Sequence, residues 1–527
     1  MESLSNRKPF QIIVTPYEAA TPELLEKIAA HHAGCRPDDI AKLNILRRSI
    51  DARKRGYVKM ILTVELFLHG EEIVKPTCSF RFDHVGLCPE VIIAGTGPAG
   101  LFAALKLIEC GLKPVMIERG KEVSERKRDV ALLCRGIGLN PESNYCFGEG
   151  GAGTFSDGKL FTRSRKRGDM DRILQLFHFH GASDNILIDA HPHIGSDALP
   201  EVIRNMRQTI IRCGGEFHFE QKLKDFITRD GKVSGITTAS GDRFEGCAVV
   251  LATGHSAADI YEMFHRNRYL LESKAFAVGI RVEHPQELIN EIQYHHSPEM
   301  QYLPAATYTL AAQVEGRGVY SFCMCPGGYI VPACTSADGM VVNGMSAMKR
   351  HTAFANSGIV VETRLEDTEA FVHNGALSGL CYQQHIERLA AENGGTGQIA
   401  PAQRLTDFVN RRTSNHLPSC SFLPGVVSSP LHSWLPTQIS QRLQKAFTIF
   451  DRKMHGFLTS DAVVVGVESR SSTPVRIPRD AVTMQHPQLP GLFPCGEGSG
   501  YAGGITSSAI DGENVGIAIA NRSKIKT

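Results

Sequence analysis

Apolar residues recur along this chain in two rhythms, short solid runs and helical stripes, and their order predicts the architecture. QIIV at 11–14 reads as a strand, followed by a helix over 22–32 and strands over 41–50 and 58–68. A helix laid on such a sheet makes a small α+β unit. Beyond Cys88-Pro89 the rhythm changes. Residues 91–94 form a solid apolar strand, and a helix opens at Pro98, where the missing N–H costs little. It ends at Gly111, a residue suited to the left-handed cap. A second solid strand at 115–118 completes a βαβ unit of about thirty residues.

Further on the pattern predicts a helix over 198–213 and a strand in VVLATG, 249–254. From 275 to 459 strands such as AFAVGIRVEH (275–284) and VYSFCMC (319–325) alternate with Gly/Pro loops, with one helix over 381–393. VVVGVE (463–468) and GLFPCG (491–496) read as strands, and 505–521 as a closing helix. The window 91–110 is apolar enough to suggest a membrane span. Its Gly95, Gly97, Pro98 and Gly100 fit a buried strand–helix turn better, and no span is expected.

Length and composition narrow the class. A chain of 527 residues suggests about three structural units. With 57 basic and 55 acidic residues, net +2, it lacks the charge excess of a protein living on polyanions. Its basic runs, Arg47-Arg48 with Arg53 to Arg55 and Arg163 through Arg167, read as solvated turns or strand ends, so a nucleic-acid partner is not expected. The polar first residues are not a signal peptide, and the 14 cysteines lack paired spacings. Both point to the cytoplasm and free thiols, without a metal site. No CxxC occurs. Cys323 and Cys325 form a CxC, read as core thiols, with a redox or metal pair as the alternative.

The decisive motif is Gly95-Thr-Gly97-Pro98-Ala99-Gly100, set between a strand and a helix, with Glu118 closing the next strand. Gly95 makes the tight turn, Gly97 lets amides approach a diphosphate, and Gly100 lets helix and strand pack closely. The helix N-terminus offers unpaired N–H groups and partial positive charge. Glu118 is placed for adenosine ribose hydroxyls. These parts together predict a dinucleotide site.

Two distant segments choose the dinucleotide. Ala252-Thr253-Gly254 ends a strand, and Pro490 through Gly496-Glu497 precedes the last helix. With GTGPAG and Glu118-Arg119-Gly120 they resemble the three fingerprints of the two-dinucleotide-binding-domain flavoproteins. The resemblance implies FAD, with an acidic residue of the last fingerprint on the ribityl chain. That residue is usually Asp and here is Glu497. No second GxGxxG follows, which implies the one-Rossmann branch. In the closing helix Ala509, Gly512, Gly516 and Ala520 make a smooth face for close packing. Its start at Gly503-Gly504-Ile505 is expected at the flavin pyrimidine edge, where the helix dipole favours negative charge.

Further stretches narrow the resemblance: Arg48-Ser-Ile-Asp-Ala-Arg-Lys54, Phe147 through Lys159, and Ala252-Thr-Gly-His-Ser256. Phe322 through Gly328, Gly466 through Ser472, and Gly496 through Gly504 add to them. The chain resembles, over nearly its whole length, the bacterial FAD-dependent dehydrogenases with a small N-terminal α+β domain, a family that brings no assigned substrate. The implied fold is α/β: a discontinuous Rossmann-like FAD-binding domain, an inserted mixed α+β substrate domain and a ferredoxin-like N-terminal domain. The expected bounds are 1–88 for the N-terminal domain, 89–269 and 463–527 for the FAD-binding domain, and 270–462 for the substrate domain.

Five glycines within 147–159, among them Gly150 and Gly151, suit backbone lying against a flat or anionic group. Arg119 is counted with the cofactor contacts, and Arg126 (with Arg128) is expected to neutralise the diphosphate, solvated helix charge being the alternative. His255, just past the ATG turn, could protonate or hold a substrate, or be structural. Arg281, Glu468 and Arg470 are candidates around the reaction site, either arginine as a carboxylate clamp or as half of an ion pair. The reading is an FAD-dependent oxidoreductase acting on a small-molecule substrate, with NAD(P)H as candidate donor. The alternatives are an NAD(P)H-using flavin monooxygenase, an RNA-modifying flavoprotein, and a protein in which FAD is structural. Oligomeric state is not readable from the sequence.

Overall fold

A computed structural model of the chain describes residues 8–71, 80–162 and 168–524. The basic run Arg163 through Arg167 lies outside them. The N-terminal unit is an antiparallel sheet in the order Phe10–Val14, Lys59–Leu68, Ile40–Asp51. The helix Pro22–Ala33 buries Leu25 and Ala29 against alternate residues Met60, Leu62, Val64 and Leu66 of the central strand. This β–α–β–β run is the opening half of a ferredoxin-like plait among the described residues.

The second unit is a five-stranded parallel sheet. Its order is Leu492–Pro494, Ala248–Leu251, Glu90–Ala94, Lys113–Ile117, Glu216–His218. Such strands are covered on both faces, hence the solid apolar runs VIIA, PVMI and AVVL. The first helix, Pro98–Glu109, crosses from the 90–94 strand to the 113–117 strand. The closing helix Ile505–Lys524 packs along it, and Gly512 and Gly516 are the contact points. The chain thus leaves this sheet, builds another unit and returns to it, a discontinuous Rossmann-like α/β fold.

The inserted unit centres on a seven-stranded sheet. Its order is Ala311–Val314, Arg317–Cys325, Phe354–Thr363, Phe276–Pro285, Val463–Glu468, Ala400–Arg404, Val426–Ser428. The 463–468 strand, expected in the returning FAD-binding segment, pairs instead with the 276–285 and 400–404 strands. Its run VVVGVE is buried throughout, and a solid apolar strand fits the middle of either sheet. The pairing therefore corrects the boundary at 462/463.

Besides Ser378–Glu392, this region carries helices Gln286–Tyr294 and Thr437–Lys453. Ile439, Leu443, Phe447 and Phe450 give the latter a buried stripe at helical spacing, a signal present in the sequence but read as loop. Among the described residues no helix is long and apolar enough to cross a membrane.

Candidate functional site

A cleft of about 400 Å³ runs over the carboxyl ends of the parallel strands and on to the inserted unit. Parallel α/β sheets place ligands at this edge. One end is built by the first strand–helix turn. Gly95 has φ 104°, and a Cβ there would stand 2.3 Å from the Ala252 carbonyl oxygen of the neighbouring strand. A Cβ on Gly100 would stand 2.0 Å from the Gly95 oxygen. The helix opens at Gly97 with Pro98 and Ala99 and has no side-chain cap, so its first amides remain for a ligand.

Opposite lies the second glycine loop. Gly151 faces Gly97 so closely that its Cβ would be 3.0 Å from the Gly97 Cα. Gly150 donates to the Thr96 carbonyl at 3.0 Å and would clash with the Thr154 hydroxyl if it had a Cβ, which makes it a buttress of the loop. Glu118 lines the cleft and ties the loops together. One carboxylate oxygen accepts from the Thr96 amide and hydroxyl (3.0 and 2.7 Å), the other from the Gly120 and Gly148 amides (2.9 and 3.0 Å). Arg119 also lines the cleft, stacked over Phe147 at 4.0 Å and paired with Glu142 and Asp259.

Arg126 does not reach this end. It is fully buried, and its guanidinium donates to the carbonyls of Asn144, Tyr145, Gly148 and Glu149 and to the Thr154 hydroxyl. Burial lowers it to about 10. It braces the glycine loop from behind rather than neutralising a diphosphate.

Thr253 and Gly254 form the rim past the 248–251 strand, and His255 and Ser256 follow them into the cleft. His255 Nδ1 stands 3.3 Å from a Glu497 carboxylate oxygen. Gly496, before that glutamate, donates its amide to Asp511 at 2.7 Å, and Asp511 is held by Arg479. Gly503, Gly504 and Ile505 close the far end at the start of the last helix.

The third wall comes from the inserted unit and the end of the glycine loop. Lys159 Nζ lies 3.0 Å from Asp157, which Arg350 grips through both carboxylate oxygens. Arg470 lines the cleft, and its donors engage Glu387, Thr335 and the Cys146 sulfur. Cys323 and Asn343 complete the wall. The sequence reading missed Lys159, Asp157 and Ser256 as site residues. The signal for the first two was a Ser-Asp-Gly-Lys directly after the glycine-rich run.

Arg281 and Glu468 sit beneath that wall. They are 0% and 1% exposed and paired at 2.7 Å. Arg281 also donates to Asn356, Asn343 and the Cys323 carbonyl. Each of its three nitrogens already has an acceptor inside the protein, so it is half of a fold-stabilising pair and not a substrate clamp. The 276–285 strand is buried on both faces, which is why its arginine points into protein.

The residues fit FAD. Cβ atoms added at Gly254, Gly503 and Gly504 would meet no protein atom within 4 Å, so the backbone there lies bare to the cleft. The buried Ser256 hydroxyl has no protein partner.

Comparison with known proteins agrees. The family described as "FAD-dependent protein, C-terminal domain-like" matches residues 275–471, and a domain of unknown function matches 7–67. An "Uncharacterized protein" of Clostridium beijerinckii is 39% identical over 510 residues, covering 93% of this chain and 95% of that one. The chain belongs to this family of FAD-dependent proteins.

Among solved structures, a geranylgeranyl bacteriochlorophyll reductase-like protein of Thermoplasma acidophilum is similar at TM-score 0.34 and 12% identity, covering 83% of this chain and 79% of that one. Glycine oxidase from Bacillus cereus gives 0.32 and 12%, covering 82% and 95%.

Proposed function

We propose that this protein is an FAD-dependent oxidoreductase that passes electrons between the flavin and a small polar substrate, with NAD(P)H as the donor. One observation carries the reading. A single cleft joins the uncapped helix start at Gly97 to a far end where Lys159, Arg470, the His255–Glu497 pair and the start of the last helix converge.

FAD, when bound, supplies two-electron chemistry at its ring. The protein's part is position and charge. The Gly97 and Gly151 backbones would hold the diphosphate, and Glu118 would share its carboxylate with ribose hydroxyls. Glu497 would meet the ribityl chain. The start of the last helix and the Lys159 ammonium favour negative charge at the far end. His255, held at Nδ1 by Glu497, is the candidate to hold or move a proton at Nε2. A second cavity of about 270 Å³ adjoins His255, Ser256 and Arg470 and is lined by Thr335, Gln383, Glu387 and Arg388, which supports a polar substrate.

The test is an anaerobic titration of the purified protein with NADH and NADPH separately, followed by visible absorbance, after identifying the cofactor released on denaturation. Bleaching by either donor supports the proposal. Protein that stays colourless after soaking in FAD overturns it. Oxygen consumption strictly coupled to a hydroxylated product would replace it with the monooxygenase reading.

A further inference from the structure

Two sulfurs at the cleft wall, Cys323 and Cys325, have no part in the proposed flavin chemistry. The Arg317–Cys325 strand pairs regularly with its neighbour up to Phe322–Gly358, and its register then slips before Cys325. At the slip Cys323 adopts φ 47°, the left-handed region that a residue with a Cβ rarely enters. Bulges of this kind re-aim side chains. Here Cys323 faces the cleft, and Cys325, two residues on, is buried behind it with its thiol 3.3 Å from the Cys323 carbonyl.

Both sulfurs share one cation. Lys159 Nζ lies 3.8 Å from Cys323 Sγ and 3.7 Å from Cys325 Sγ. The other charged groups around the pair are Asp157, bound to Lys159, and the Arg281–Glu468 pair beneath. Among the described residues no cluster of three or more metal-ligating side chains includes these sulfurs. An ammonium against both of them also opposes a bound metal cation.

We propose that Cys323 and Cys325 are a redox-active dithiol that reduces a low-molecular-weight disulfide entering the cleft. Cys323 is the attacking thiolate and Cys325 the resolving thiol. Access divides the roles: Cys323 opens on the cleft, while Cys325 is buried behind it. The Cys325 thiol, Lys159 and Arg281 around the Cys323 sulfur hold it well below the usual thiol range, and the Cys323 sulfur and burial push Cys325 well above it.

The Cys323 thiolate attacks one substrate sulfur, which breaks the S–S bond, releases one RS⁻ and leaves a mixed disulfide. Cys325 gives up its proton and attacks the Cys323 sulfur, which closes the Cys323–Cys325 bond and releases the second RS⁻. That proton goes to one of the two products, so the sum is one thiolate and one thiol of R. Two electrons have passed from the protein pair to the substrate. Return of the pair to its starting thiolate and thiol takes two electrons and one proton, which reduced FAD would supply with its second proton going to the remaining RS⁻, and for that step alone the inference rests on the proposed function.

The test uses the flavin-loaded protein with oxidised glutathione as the probe. Peptide mapping is expected to show a Cys323–Cys325 linkage in the wild type and glutathione trapped on Cys323 in Cys325→Ser. In the reduced protein Cys323 is expected to react with iodoacetamide about tenfold faster than any other cysteine near neutral pH, because the thiolate is the reactive form. Lys159→Met should move the pH profile of that reaction up by about one unit. These readouts do not use flavin reduction. Loss of the linkage and of trapping overturns the dithiol while flavin bleaching by NAD(P)H stands. Thiol exchange that persists in colourless protein would sink the flavin reading instead. Cys323 labelling at the pace of other cysteines also overturns the proposal.

Discussion

Gly512 of the closing helix lies so close to Ala99 of the first helix that a Cβ on it would stand 2.1 Å from the Ala99 carbonyl oxygen. The obstacle is backbone at the very turn that opens toward the cofactor, so it cannot rotate aside. Gly512→Ala is expected to destabilise the fold by about 1–3 kcal/mol and to lower flavin content. Gly138→Ala, where no atom lies within 4 Å, is the control and should stay within about 0.5 kcal/mol. Urea unfolding and the flavin-to-protein absorbance ratio measure both. Equal stability of the two variants would show that the helices separate at no cost.

Gly503 separates cofactor binding from folding. It lines the cleft, and a side chain there would meet no protein atom. Gly503→Val should leave the unfolding midpoint of the cofactor-free protein in place while weakening FAD binding at least about tenfold, roughly 1.4 kcal/mol. Fluorescence titration of the stripped protein with FAD gives the comparison. Unchanged affinity would remove the start of the last helix from the site.

The buried Arg281–Glu468 pair makes a different demand. Glu468→Gln leaves a guanidinium without its counter-charge inside protein, at a cost of about 3–5 kcal/mol. Arg281→Met with Glu468→Leu removes both charges and should recover much of that loss. A double-mutant cycle by chemical denaturation checks it. A double variant as unstable as the sum of the singles would mean that the pair is held by something other than mutual compensation.

That pair also marks where the sequence stops being informative. Strands and helices were legible because burial imposes a period: four apolar residues before Gly95, a smooth Ala509-Gly512-Gly516-Ala520 face on the closing helix. The dinucleotide turn was legible because its glycines are forced by contacts a few residues away, as with Gly100 against the Gly95 oxygen. Arg281 was not, since its partner Glu468 lies 187 positions further along the chain and only the pairing of their strands brings them together. Arg126 misled for the same reason. Its charge suggested a diphosphate, whereas its acceptors are carbonyls of the loop at 144–149, whose fold no local pattern discloses. Cys323 needed a bulge, and bulges leave no periodic trace.

Protonation of His284 is expected to weaken the inserted unit in acid. The residue is 1% exposed, its Nε2 lies 2.8 Å from the Phe457 carbonyl, its ring packs on Phe457 at 4.4 Å, and Nδ1 has no partner. Nε2 therefore carries the proton and donates, and burial brings the imidazole down to about 4 from its usual 6.5. Above 6.5 the ring is neutral folded or unfolded, and its contribution is intact. As pH falls from 6.5 toward 4 the unfolded chain takes up a proton that the folded one refuses, so up to about 3 kcal/mol of stability is lost across that window. His284→Gln keeps a donor for the Phe457 carbonyl and cannot titrate. It is expected to be less stable than the wild type at neutral pH and to close part of the gap at about pH 5. Urea unfolding of both proteins at the two pH values reads the difference directly. Parallel losses in the two would mean that the acid sensitivity comes from other groups and that His284 accepts a proton in place.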